Sequence, residues 1–193
     1  MITTTLRLDW LNGTISFFKK HFLVVFTLGF IAGLGRVIQL RGFGPVSPSM
    51  HLVLEVIIET ARAALFLYIL GSASFKMGLH RFAGLFRRGA KRAELIKLAS
   101  QNLKHRWKSL LLNFVVYLLL AWVINVLIDK LAYETCFYLT MKDRGILSPN
   151  SSEWTIILFF KNLTVIPLTF IFNTLLLFYA TDKLKLARNQ IIN

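Results

Sequence analysis

Three charged residues stand inside an apolar stretch long enough to cross a bilayer. Leu52–Ser74 reads LVLEVIIETARAALFLYILGSAS and carries Glu55, Glu59 and Arg62. Their spacing of i, i+4 and i+7 puts all three on one helical face. A charge near the bilayer centre costs roughly 2.5–3.5 kcal/mol on insertion scales, so a helix keeps one where it faces protein or water. A second arginine, Arg36, lies near the end of the preceding apolar run. Counted from the Arg41–His51 turn at ~1.5 Å per residue, Arg36 lies about 7 Å in, Glu55 about 6 Å, Glu59 about 12 Å and Arg62 about 16 Å. The guanidinium of Arg36 is therefore expected to reach both carboxylates. Two acids and two bases in one hairpin can fix the register of two helices. They can also line a path for an ion, a proton or a substrate. The formal charges balance, which favours the packing role slightly.

Other chemistry finds little footing. A carboxylate pair can serve hydrolysis, but here the acids are four residues apart. The four histidines, His21, His51, His80 and His105, fall at or beyond the ends of the apolar runs. The chain has no Gly-rich phosphate loop, no Gly-x-Ser-x-Gly elbow and no His-Glu-x-x-His helix. Its one cysteine, Cys136, builds neither an intrachain disulfide nor a cysteine metal site. No catalytic residue, cofactor or metal is expected, and the chain does not read as an enzyme.

Four helices must position the charged cluster. Apolar runs at about 22–40, 52–74, 110–128 and 162–180 predict an all-α integral membrane protein with four spans. The first contains Gly29-xxx-Gly33, a spacing that lets helices approach closely, on the same face as Arg36. In the third, Asn113, Tyr117, Ala121, Asn125 and Asp129 step by four along one ridge, a polar and small stripe suited to interhelical contacts. The fourth offers Thr169 and Asn173 one turn apart and is kinkable at Pro167. Residues 131–161 read as a polar loop whose Trp154–Phe160 stretch either rests at the interface or extends the last helix.

Two amphipathic helices complete the expected layout. Residues 3–20 place Leu8, Leu11, Ile15, Phe18 and Phe22 at helical spacing, with Trp10, Lys19 and Lys20 as interface anchors. Within the basic segment 75–108, the stretch beginning at Lys91 repeats that pattern. Arg87, Arg88, Lys91, Arg92, Lys97, Lys104 and Arg106 are the residues expected to meet anionic lipid headgroups or an acidic partner.

The composition agrees, with 55% hydrophobic residues and seventeen phenylalanines. The net charge of +14 would suggest nucleic acid on a soluble protein, but few aromatics interleave the basic residues to stack bases. Three Lys/Arg precede the first span, ten lie in 75–108 and three follow the last. This asymmetry places both termini in the cytoplasm and the protein in an inner or plasma membrane. The chain is expected to form a single membrane domain over 1–193. Halves 3–74 and 91–180 share a layout of one surface helix and two spans, a parallel two-fold repeat carried by layout more than by identity. The expected function is a non-catalytic subunit or anchor of a larger complex, partnered by anionic lipid and by other membrane subunits or further copies of itself. A small oligomeric transporter or channel using the charged cluster is the alternative, and an anionic-lipid-handling protein the next.

Overall fold

The computed structural model describes residues 9–86, 97, 99–102, 104, 105 and 107–180. Their regular structure is all helix, with no strand among them. The helices are α1 (Asp9–Lys20), α2 (Phe22–Gln39), α3 (Pro48–Leu70), α4 (Phe75–Phe86), α5 (Trp107–Tyr133), α6 (Phe137–Asp143), α7 (Trp154–Leu163) and α8 (Val165–Ala180). Three stretches are long and apolar enough to cross a membrane: Phe22–Gln39, Trp107–Tyr133 and Trp154–Phe178. The chain thus has the helical make-up of a membrane protein. At 23 residues α3 is also long enough, but Glu55, Glu59 and Arg62 keep it out of that count.

Local sequence accounts for the helix ends. Pro48 opens α3 at the first helical position, where a missing N–H costs nothing, and the Ser47 hydroxyl accepts the Met50 N–H. The C-terminal ends of α2 and α3 close the same way. The Gly42 N–H reaches back to the Val37 carbonyl and the Arg41 N–H to that of Ile38; Ala73 and Ser72 do the same to Tyr68 and Ile69. This is the six-to-one and five-to-two pairing of a Schellman cap. Arg41 (φ 61°) and Ser72 (φ 52°) take the left-handed position usually given to glycine. By contrast, α5 runs for 27 residues without a glycine or a proline.

The last apolar stretch is broken. The ring of Pro167 has no N–H for the Leu163 carbonyl and crowds it, so helix geometry fails at Thr164 (φ −124°, ψ −72°) and resumes at Val165. The break lies three residues before the proline that causes it. The region expected as a polar loop over 131–161 is mostly helix, because α5 runs on to Tyr133, α6 follows, and α7 starts at Trp154. Within the basic segment, Phe75–Phe86 is also a helix, α4.

The described chain falls into two compact units. One comprises residues 23–65 and 120–167. Its core gathers Val37, Ile128, Ala132, Tyr138, Leu147, Ile156 and Ile157, and a smaller cluster joins Ala32 to Ile58 and Ala61. A Cβ on Gly29 would lie 2.7 Å from the Asn162 carbonyl oxygen, one on Gly33 3.1 Å from Phe159, and one on Gly35 2.6 Å from Ile58. The glycines of α2 therefore let α7 approach on one side and α3 on the other. The second unit takes in the described residues up to Phe22, those of 66–119 and those from Leu168 onward. In it Phe66 meets the rings of Phe82 and Phe170, and Tyr117 stacks on Phe172 at 4.1 Å.

In this second unit Trp10, Thr14 and Phe17 are buried, and Gly13 sits close under Leu175. Trp10, expected as an interface anchor, is only 2% exposed and belongs to the core. The stripe read as the apolar face of α1 is left open at Ile15 and Phe22. The helix thus packs on protein through one face and leaves apolar side chains bare on another.

Candidate functional site

Arg36 is the centre of the charged cluster. Its Nη1 donates to Glu55 Oε2 at 2.9 Å and its Nη2 to Glu55 Oε1 at 3.1 Å, the paired fork geometry of a strong arginine–carboxylate contact. Nη2 also reaches Glu59 Oε1 at 3.2 Å. Arg62 donates to the same Glu59 oxygen at 2.7 Å, so one carboxylate oxygen is shared by two guanidinium groups. The expected meeting of Arg36, Glu55, Glu59 and Arg62 is present atom by atom.

Three further residues enter the cluster. Gln39, one turn beyond Arg36 on α2, donates to Glu55 Oε2 at 2.6 Å and accepts from Arg36 through its own oxygen. Its amide also lies 3.3 Å from the His51 carbonyl oxygen and 3.3 Å from His51 Nδ1. Asn162 Oδ1 accepts from Arg62 Nε at 3.1 Å and Nη2 at 2.9 Å, while its amide donates to the Leu158 carbonyl of its own helix at 2.7 Å. Asn162 is also the residue whose backbone oxygen lies against Gly29. One residue thus ties together the close approach of α2 and α7, through its backbone, and the charge on α3, through its side chain. Gln39 carried a faint signal, being polar and one turn from Arg36. Asn162 carried none beyond its position at an apolar boundary.

The cluster opens on its acidic side. The arginine side chains are 20% and 21% exposed, those of Glu55 and Glu59 44% and 52%. Glu55 uses both oxygens, whereas Glu59 Oε2 has no protein partner among the described residues. Glu59 is the twelfth of the 23 residues of α3, its midpoint. The geometry can hold two helices in register and can present one carboxylate oxygen sideways. No cluster of His, Cys, Asp and Glu suited to a metal occurs among the described residues.

The remaining packing residues divide. Tyr117 and Thr169 share a hydrogen bond between α5 and α8 at 2.5 Å. Asn113 and Asn125 each donate to a carbonyl one turn back in their own helix, Ser109 and Ala121, so those bonds do not cross between helices as the stripe suggested. Asn173 is exposed, and its neighbour Thr174 is the buried one. Lys97 and Lys104 are helical and exposed. Arg87, Arg88, Lys91, Arg92 and Arg106 lie outside the described residues.

A second polar group belongs to the other unit. Arg81 of α4 donates to the Leu70 carbonyl at 2.7 Å and to Ser72 Oγ at 2.9 Å, with its guanidinium 5.0 Å from the centre of the Phe178 ring. It thereby closes the end of α3, and burial draws its pKa below the usual arginine range. His21 Nδ1 lies 3.2 Å from the Tyr68 hydroxyl with the Phe17 ring 4.6 Å away, and its Nε2 is buried with no hydrogen-bond partner among the described residues. Burial first, and the charge of Lys20 second, lower its pKa below the ordinary histidine value.

Set against known proteins, the chain matches no protein-family model, no curated protein and no solved structure.

Proposed function

We propose that this is a multi-pass membrane protein with four spans, acting as a non-catalytic subunit or anchor of a larger membrane assembly. In this reading α3 is the second span, and α7 with α8 forms the fourth. The observation that carries it is how the charged groups are used. Arg36, Glu55, Glu59 and Arg62 neutralise one another, and Gln39 and Asn162 join them to α2 and α7. Such a network lets α3 sit in hydrocarbon despite its three charges. It spends nearly every donor and acceptor on helix packing.

The charge distribution supports an orientation with both termini on the cytoplasmic side. Among described residues, the unit containing α1, α4 and the start of α5 holds seven Lys/Arg and one acid, Asp9; the other unit holds seven Lys/Arg and six acids. The basic unit is the one suited to an anionic inner leaflet.

Purification from native membranes in a mild detergent tests the proposal. A larger assembly, formed with other chains or with further copies, should migrate well above the 22.1 kDa protein in its detergent belt. Migration as a lone monomer under all mild conditions rules the subunit reading out.

A further inference from the structure

We infer that copies of this chain associate head to tail through the membrane, α5 of one copy covering the open face of α3 in the next. The inference rests on the spanning reading of α3 above.

The acceptor is Glu59 Oε2, at the midpoint of α3 with no protein partner among the described residues. Around it the outward side of α3 is uncovered. Leu52, Val56, Glu59 and Ala63 alternate by four, three and four residues, the seam spacing of packed helices, and all four are exposed. Lipid tails offer no donor at that depth. An added cation would upset a network whose two acids and two bases already balance, so a neutral donor fits the open oxygen better.

The chain carries such a donor at the matching depth. Trp122 of α5 is 64% exposed, and its indole N–H has no partner among the described residues. It lies seven residues before Asp129, as Glu59 lies seven residues after Leu52. Each is therefore about 10 Å along its helix from the outer end of the apolar run. The surface around Trp122 is open and apolar, with Leu118, Leu119, Val123 and Leu127 exposed. Only 17% of the apolar window of α5 is covered by the rest of the protein, the least of the three candidate spans. A symmetric contact of α3 with α3 would bring acceptor against acceptor. A heterologous contact of α5 with α3 pairs donor with acceptor, and such contacts close into rings when the rotation allows.

Two differently tagged copies, co-expressed in a Cys136→Ser background, test this. One carries Ala63→Cys and the other Leu118→Cys, both at exposed positions one turn from the Glu59–Trp122 contact. Mild oxidation in native membranes should give a mixed-tag disulfide. The Ala63→Cys copy alone should give little, because α3 does not face α3. Adding Trp122→Phe to both copies removes the N–H together with one ring of an exposed side chain, so the fold is retained. It should lower the mixed adduct roughly three- to thirty-fold, the span of measured intramembrane hydrogen bonds.

No mixed adduct, or an adduct indifferent to Trp122→Phe, overturns the inference. Labelling of Ser49→Cys and Lys76→Cys in separate copies keeps the two failures apart. Modification from opposite sides with no mixed adduct removes the head-to-tail contact and leaves α3 spanning. Modification from the same side removes both.

Discussion

Arg36 touches two carboxylates and an amide at once, so its loss takes the only arginine partner from Glu55 among the described residues and leaves Glu59 with Arg62. Removing one member of a partly buried ion pair leaves an uncompensated charge. Arg36→Leu should lower the melting temperature in detergent by roughly 5–10 °C. The double change Arg36→Leu with Glu55→Leu should cost less than the sum of the two singles, because it removes both charges together. Strict additivity in that cycle would mean the contact contributes nothing. His21 makes a prediction in pH. Its folded pKa is lowered, so the unfolded chain takes up the proton first and stability rises with pH across the interval between the two values. Stability should therefore fall as pH drops through about 6.5 and below, and stay flat on this account above it. His21→Phe should flatten that acid limb, measured as melting temperature from pH 8 to pH 5. An unchanged limb would assign it to other groups. The pairing of Arg36 with Glu55 and Glu59 was legible in the sequence because depth and helical spacing are both simple counts. Asn162 was not, since nothing local to it announces that Arg62, a hundred positions earlier, ends beside it.

At the scale of elements, the turn between α3 and α4 brings two backbones into direct contact, beside the side-chain bonds of Arg81. A Cβ on Gly78 would lie 1.9 Å from the Leu67 carbonyl oxygen, and one on Gly71 1.8 Å from that of Ser74. Both obstacles are backbone, so neither can swing away. Gly78→Ala should abolish accumulation of folded protein, scored by fluorescence size exclusion of a tagged chain, and normal yield would show that the helices part easily. Gly29→Ala acts more gently. It pushes α2 away from the Asn162 carbonyl and disturbs the Arg62–Asn162 contact from behind, and a loss of a few degrees in melting temperature is expected. The elements themselves were unevenly readable. Long runs of one period, such as α2 and the body of α5, stand out in the sequence. Glu153, Lys161 and the Ser-Pro-Asn-Ser-Ser run made α7 look like the end of a loop, although its apolar stretch extends the last helix. Lys76 and His80 hid α4 in the same way, by putting charge on the open face of a helix, and Arg81 did so from the packed side, where it bonds to the end of α3. Trp10 misled for the opposite reason: an aromatic near basic residues suits an interface, yet α1 turns that side to protein.

At the scale of the whole molecule, charge is sorted by unit, and that asymmetry predicts a dependence on lipid. In nanodiscs the protein should melt higher with anionic lipid than with zwitterionic lipid. The difference should shrink at 1 M salt, where screening acts over about 3 Å. Lys76→Gln combined with Lys104→Gln, both exposed, should reduce it further. Equal melting in the two lipids would leave the basic unit with no role beyond orientation. The uninterrupted α5 has a consequence of its own. Its apolar run from Leu110 to Ile128 measures about 28 Å at the helical rise, with Lys108 and Asp129 standing just beyond its two ends. With no glycine or proline at which to bend, the helix acts as a fixed gauge of hydrocarbon thickness. Lipids with shorter tails must stretch to meet it or see it lean, so the melting temperature in reconstituted bilayers should peak at the tail length whose thickness it measures.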